Sequence, residues 1–181
     1  MEKKTDHGTK EKKAGFFQPG SGSHGFSLIE LVVVIAIIGI ITALGTPPLL
    51  SMKAKSSVRS DARDVYSAFK HAQSEAVKRS ENVTILFNYP APGKYTVFLD
   101  NGAGGDTSGD NVQNGNELIL LSKQLRPGNS FTDNFTDGIS GFNSRGLPLT
   151  GQGTVTVRSA TTSLVLGLSL SNAGHVRSTV L

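Results

Sequence analysis

The sequence contains no cysteine, so neither a disulfide framework nor a thiolate metal site can exist in it, and redox chemistry says nothing about its compartment. Histidine is scarce: His7, His24, His71 and His175 are all there is. Two of these lie in the polar N-terminal tail, and no sequence pattern places a general base beside a serine nucleophile, so an enzyme is not expected. No internal repeat is present. Charge is missing from one stretch and positive charge from another. Leu31–Leu44 carries none and only one hydroxyl, while the segment from Asp100 to Glu117 has four acids and no base.

What is present is unevenly distributed. The chain has 181 residues and a formal charge of +4, enough for one modest domain with appendages. Residues 1–24 are polar, rich in lysine, glycine and serine, and lack hydrophobic periodicity, as expected of a disordered or removable tail. From Phe26 to about Leu50 the chain is apolar for the ~20 residues that a helix needs to cross a bilayer. Pro47 and Pro48 threaten that helix, though at such a position they kink more often than they stop it. Beyond them Val58, Ala62, Val65, Phe69, Ala72 and Ala76 recur in steps of three and four. That spacing paints one narrow apolar stripe and carries the helix to about Ser80.

The period then changes to two. Val83–Tyr89 and Lys94–Leu99 read as a hairpin about a Pro-Ala-Pro-Gly turn, and Glu117–Leu125, Thr154–Arg158 and Ser163–Ser171 read as further strands. The short connections argue an antiparallel sheet whose apolar face the Val58–Ala76 stripe covers. The fold class is therefore α+β, a long N-terminal helix packed on an antiparallel β domain.

Glu30 is the anomaly, a carboxylate at the front edge of the apolar run. A secretory signal peptide cut near Ala43-Leu44-Gly45 leaves unexplained why the apolar run continues into an amphipathic stripe. A plain signal anchor explains the grease but not the acid. The string Gly25-Phe26-Ser27-Leu28-Ile29-Glu30, followed by an uninterrupted apolar helix, resembles the cleavage and methylation motif of type IV prepilins and type II secretion pseudopilins. The resemblance implies that a prepilin peptidase cuts after Gly25, that the new amine of Phe26 is methylated, and that Glu30 serves filament assembly. A charge in the bilayer needs an opposite charge, and the amine of a neighbouring subunit can supply it. On a helix, Phe26 and Glu30 would share a face, with the acid favoured in the first turn. The implied organisation is a cleaved leader (1–25), a transmembrane helix (26–50), an amphipathic continuation (51–81) and a periplasmic β domain (82–181). Charge alone does not orient the span, because the five lysines of the leader face Lys53, Lys55, Arg59 and Arg63 on the other flank. The motif does, with the leader cytoplasmic and the span in the inner membrane.

Further along, the strand–Asp-Asn-Gly-loop–strand segment from Val97 to Leu120, Gly141–Pro148 and Leu168–Arg177 resemble the FimT/GspH group of minor pseudopilins, most weakly around Asn129–Ile139. The expected partners are other pilins or pseudopilins, the peptidase and methyltransferase, and membrane lipid. The expected function is to build the filament of a type II secretion system or a type IV pilus. The alternative is a DNA-binding minor pilin used in natural transformation, with Gly174, His175 and Arg177 in the position of a basic terminal motif. There a histidine stands where an arginine would carry full charge at neutral pH, so DNA is not the favoured partner. No cofactor is expected. The weak alternative is calcium held by Asp100, Asp106 and Asp110, hard oxygen donors without the spacing of an EF-hand loop, for which a flexible Asx/Gly turn region is the simpler reading.

Overall fold

The computed structural model describes residues 25–103, 108–114 and 116–181, with the side chains of 44–47 outside that description. The expected leader and Asp106 therefore lie outside the described residues, Gly25 excepted. Two compact units are formed, Met1–Ala43 and Leu44–Leu181.

One helix, α1 (Leu28–Arg79), contributes to both units and continues through Pro47 and Pro48. In the first unit every described side chain is exposed. The lone hydroxyl of Leu31–Leu44, on Thr42, donates back to the carbonyl of Ile38 at 2.8 Å, which satisfies it without help from solvent. The helix stops at Arg79 through a Schellman closure: Glu81 N–H donates to Ala76 C=O at 3.2 Å and Ser80 N–H to Val77 C=O at 3.3 Å. Ser80 takes a φ of 56° to make this turn, in the position usually given to glycine.

The second unit is a β domain of two four-stranded antiparallel sheets rather than the single sheet expected from the sequence. The strands are β1 (Asn82–Phe87), β2 (Lys94–Asp100), β3 (Ile119–Gln124), β4 (Asn129–Asp133), β5 (Ile139–Phe142), β6 (Gly153–Ser159), β7 (Thr162–Leu170) and β8 (Val176–Val180). Their orders are β3-β2-β1-β5 and β4-β6-β7-β8. β4 and β5 fall in or beside the stretch that the sequence leaves blank. β4 offers only Phe131 as a buried apolar residue between Gly128-Asn129 and Asp133-Asn134, so its strand state comes from pairing with β6 and not from its own pattern.

All six residues of the helical stripe are buried, Val58, Val65, Phe69, Ala72 and Ala76 completely. They join Val83, Ile85, Val97, Val155, Val157 and Leu168 in one cluster drawn from both sheets. Phe69 sits at its centre, with ring centroids 5.9 Å from Phe87, 6.3 Å from Phe135 and 6.4 Å from Phe142.

Two polar side chains lie close to the stripe and fasten the helix to loops far away in sequence. Asp61, 1% exposed, accepts from the backbone N–H of Arg126 at 3.1 Å, from the Arg126 guanidinium and from the amide of Asn129. Asp64 adds Lys123 at 2.8 Å and Arg126 at 3.3 Å. The interleaved acids of the helix thus neutralise β-domain cations, while Lys53, Lys55, Arg59 and Arg63 have no acidic partner among the described residues. The second fastening is the Gln73 amide, which donates to the carbonyls of Gly146 at 2.9 Å and Gly174 at 3.1 Å.

Candidate functional site

At the amino-terminal end, Gly25, Phe26 and Ser27 precede the helix in extended or irregular backbone. The first helical hydrogen bond runs from Leu31 N–H to Ser27 C=O at 3.2 Å, so Ser27 is the cap and Glu30 lies in the first turn, as expected for an acid at the positive end of the helix dipole. Phe26 stands outside the helix, and the shared helical face expected for Phe26 and Glu30 is not formed. Gly25 is open: a Cβ placed on it would meet nothing within 4 Å. Phe26 is 80% exposed, and the Glu30 carboxylate has neither ion pair nor hydrogen bond among the described residues. Behind it the helix is apolar and exposed on all sides, as the successive residues Leu31, Val32, Val33 and Val34 show, with a mean hydropathy of 2.8 over its most apolar 18 residues. An apolar surface of this extent calls for lipid or other helices around it. An unpartnered carboxylate at its head calls for a cation.

The carboxyl-terminal residues behave differently. Gly174, the glycine of the basic-type terminal motif, is buried, with φ at 79°. A Cβ there would lie 2.6 Å from the Gly146 carbonyl oxygen and 2.8 Å from the Gln73 amide nitrogen. Gly146 itself has φ at 75°, and a Cβ on it would lie 3.1 Å from Val77. The two motif glycines let two turns approach each other under the Gln73 amide; they are packing residues. His175 and Arg177 are exposed at the start of β8, on a groove of about 560 Å³ whose other walls include Asn134, Gln152, Thr154, Ser169 and Ser171. The groove offers one permanent positive charge among neutral side chains, thin ground for a phosphate backbone.

In and beside the Asp100–Asn116 loop the described acids serve the chain itself. Asp100 is fully buried, and its carboxylate accepts from Gly109 N–H at 2.7 Å and Asn111 N–H at 2.9 Å. Glu117, 4% exposed, accepts from Gly102 N–H at 3.3 Å and Asn114 N–H at 3.1 Å. Asp110 closes an Asx turn on Val112 N–H at 2.8 Å. The described ends of this loop are therefore pinned by buried carboxylates and shaped by Asx turns at Asn101 and Asp110. Among the described residues no cluster of three or more histidines and acids is placed to hold a metal.

Sequence reasoning missed Asp61 and Gln73. Asp61 lies three residues past Val58 and four before Val65, on the edge of the stripe, and Gln73 lies four past Phe69. A polar residue intruding on an apolar stripe was the available signal. The resulting electrostatics follow: the Asp61 and Asp64 carboxylates hold the Arg126 guanidinium above its ordinary range. Burial, reinforced by the same two acids, pushes the Tyr95 phenol well up.

A long helix whose buried half fastens to an antiparallel β domain, and whose apolar half is exposed behind an acid, defines a pilin-type subunit. Comparison with known proteins agrees. The family profile described as Type II transport protein GspH matches residues 61–174, and that described as Prokaryotic N-terminal methylation motif matches residues 20–46. The chain belongs to the GspH family and carries the prokaryotic N-terminal methylation motif. It is 31% identical over 87 residues to the Type IV major pilin protein PilA of Myxococcus xanthus (strain DK1622), a match covering 46% of this chain and 40% of that pilin. The chain thus spans less than half the length of that relative. Among solved structures it is similar to the type IV minor pilin FimU of Pseudomonas aeruginosa, with a TM-score of 0.52 at 14% identity over 67% of this chain and 91% of that one. The minor pseudopilin EpsH from the Type 2 Secretion System of Vibrio cholerae gives a TM-score of 0.52 at 12% identity, over 68% and 97% of the respective chains. These two likenesses show the fold. Family and apolar helix together make this a membrane-anchored protein with a periplasmic domain. The DNA-binding alternative finds no support in the groove or in the comparisons.

Proposed function

We propose that residues 1–25 are a cytoplasmic leader removed by a prepilin peptidase between Gly25 and Phe26. The amine of Phe26 is then methylated, and residues 26–50 cross the inner membrane with the β domain on the periplasmic side. In the filament the helices bundle through their apolar halves and the β domains face outward. Glu30 pairs with the amino terminus of an adjacent pilin or pseudopilin and sets its register. The observation that carries this reading is the unpartnered Glu30 carboxylate at the head of the apolar half of α1, whose described side chains up to Ala43 are all exposed. The open backbone at Gly25 adds to it, because a peptidase must approach the chain closely there. The work is assembly: the subunit joins a short filament that drives protein secretion or pilus biogenesis.

The test is Glu30→Ala. Removing the acid makes the span more apolar, so cleavage and membrane insertion should be unchanged. Cross-linking to co-expressed pilins should fall at least roughly fivefold, the equivalent of losing one ion pair of about 1 kcal/mol at a bilayer interface. Cross-linking at the wild-type level would remove Glu30 from the mechanism.

A further inference from the structure

Four cations on the periplasmic side of the span, Lys53, Lys55, Arg59 and Arg63, take no part in the assembly mechanism and work against a simple positive-inside orientation. Two adjoining clefts explain the first of them. One, of about 540 Å³, runs between the helix face bearing Lys53, Ser56, Ser57 and Ser60 and the turn Arg126-Pro127. The other, of about 560 Å³, shares Lys53, Ser57 and Pro127 and reaches down to Leu50 and Ala54. Both clefts mix polar and apolar lining, the lower one somewhat more apolar. Leu49, Leu50 and Met52 beside them are 67%, 62% and 66% exposed.

The polar groups in the upper cleft are free to bind. Among the described residues the ammonium of Lys53 makes no ion pair, and the hydroxyls of Ser56 and Ser60 make no hydrogen bond. Ser57 accepts from the Asn129 amide at 2.9 Å and retains its own hydroxyl proton for another acceptor. Arg126 walls the cleft but is already neutralised by Asp61 and Asp64, so Lys53 is the net charge. A monovalent phosphodiester is the complement of one ammonium and a row of hydroxyl donors. At 1.5 Å per residue, Lys53 lies about 4.5 Å along the axis from Leu50 and Lys55 about 7.5 Å, within a Debye length of ~8 Å, whereas Arg63 is about 20 Å away.

We infer that this pair of clefts binds an anionic phospholipid of the periplasmic leaflet. The phosphate sits on Lys53 with the Ser56 and Ser60 hydroxyls, and an acyl chain lies along Leu50 and Ala54. The inference rests on reading residues 26–50 as the membrane span. A lipid so held seats the β domain against the membrane and stands to be shed when the subunit leaves it for the filament.

The experiment uses the full chain in neutral phosphatidylcholine vesicles and in vesicles containing phosphatidylglycerol, followed by native mass spectrometry of lipid adducts after gentle extraction. The wild type should retain phosphatidylglycerol over phosphatidylcholine by roughly fivefold, the effect of about one interfacial cation. Lys53→Gln should abolish that preference, Ser56→Ala with Ser60→Ala should reduce it, and Arg63→Gln should leave it intact. Equal retention of the two lipids by the wild type overturns the site, as does a preference that survives in Lys53→Gln. A chain that fails to float even with neutral vesicles refutes the span and the site together, and so is told apart from failure of the site alone.

Discussion

Gly174→Ala should damage the fold of this protein, not a nucleic-acid site, and by an amount that can be worked out from its surroundings. The substitution carries two costs. An alanine at φ 79° is strained by about 1–2 kcal/mol. Its Cβ also collides with the Gly146 carbonyl and the Gln73 amide, which must separate and forfeit one or both of the Gln73 hydrogen bonds, at about 1 kcal/mol each. The sum is about 2–4 kcal/mol. Gly128→Ala is the internal control: φ there is 86° but a Cβ would meet nothing within 4 Å, so it carries the backbone cost alone. Urea denaturation of residues 44–181, which form a compact unit, would give both values. The midpoint loss for Gly174→Ala should exceed that for Gly128→Ala by about 1–2 kcal/mol, and Gln73→Ala should account for most of the excess. Arg177→Ala, on the exposed side of the same motif, should stay within about 0.5 kcal/mol of wild type. Equal losses for the two glycine variants would refute the close approach of the turns.

Asp61→Ala should destabilise the same unit by about 2–3 kcal/mol. It leaves the Arg126 N–H without an acceptor and the Asn129 amide with Ser57 alone, but the Arg126 side chain is 45% exposed and water recovers part of the loss. A change below about 0.5 kcal/mol in the urea midpoint would show that the carboxylate does not hold the turn. Ser80→Gly should stabilise by about 1 kcal/mol, because glycine adopts the φ of 56° in the Schellman closure without strain. A lower midpoint in this variant would count against that reading of the helix end.

What could be read in the sequence followed the strength of local pattern. The stripe from Val58 to Ala76 has helical spacing over several turns, and its six members are all buried. Strands with a strict period of two, such as β7 with Leu166, Leu168 and Leu170, were equally legible. β4, β5 and β8 were not, or only in part, because each is short and contributes one or two core side chains; their hydrogen bonds come from β6, β1 and β7. Hence two sheets and not one. The polar fastenings were hidden for a related reason. Asp61 meets Arg126 65 residues away and Gln73 meets Gly174 101 residues away, and no local pattern encodes such a partner. Glu30 was legible for the opposite reason: a charge opening an apolar helix is conspicuous wherever it occurs.

The proposed role stands on processing at Gly25, and the mass of the membrane-extracted protein measures that directly. With the peptidase present, the mature chain should begin at Phe26 and carry one methyl group on its amine. In Gly25→Val the leader should remain, because a branched side chain crowds the peptidase at its point of closest approach. An unprocessed wild-type chain in the presence of the peptidase, or a mature terminus at Thr46 as a signal-peptide cut would leave, would contradict it.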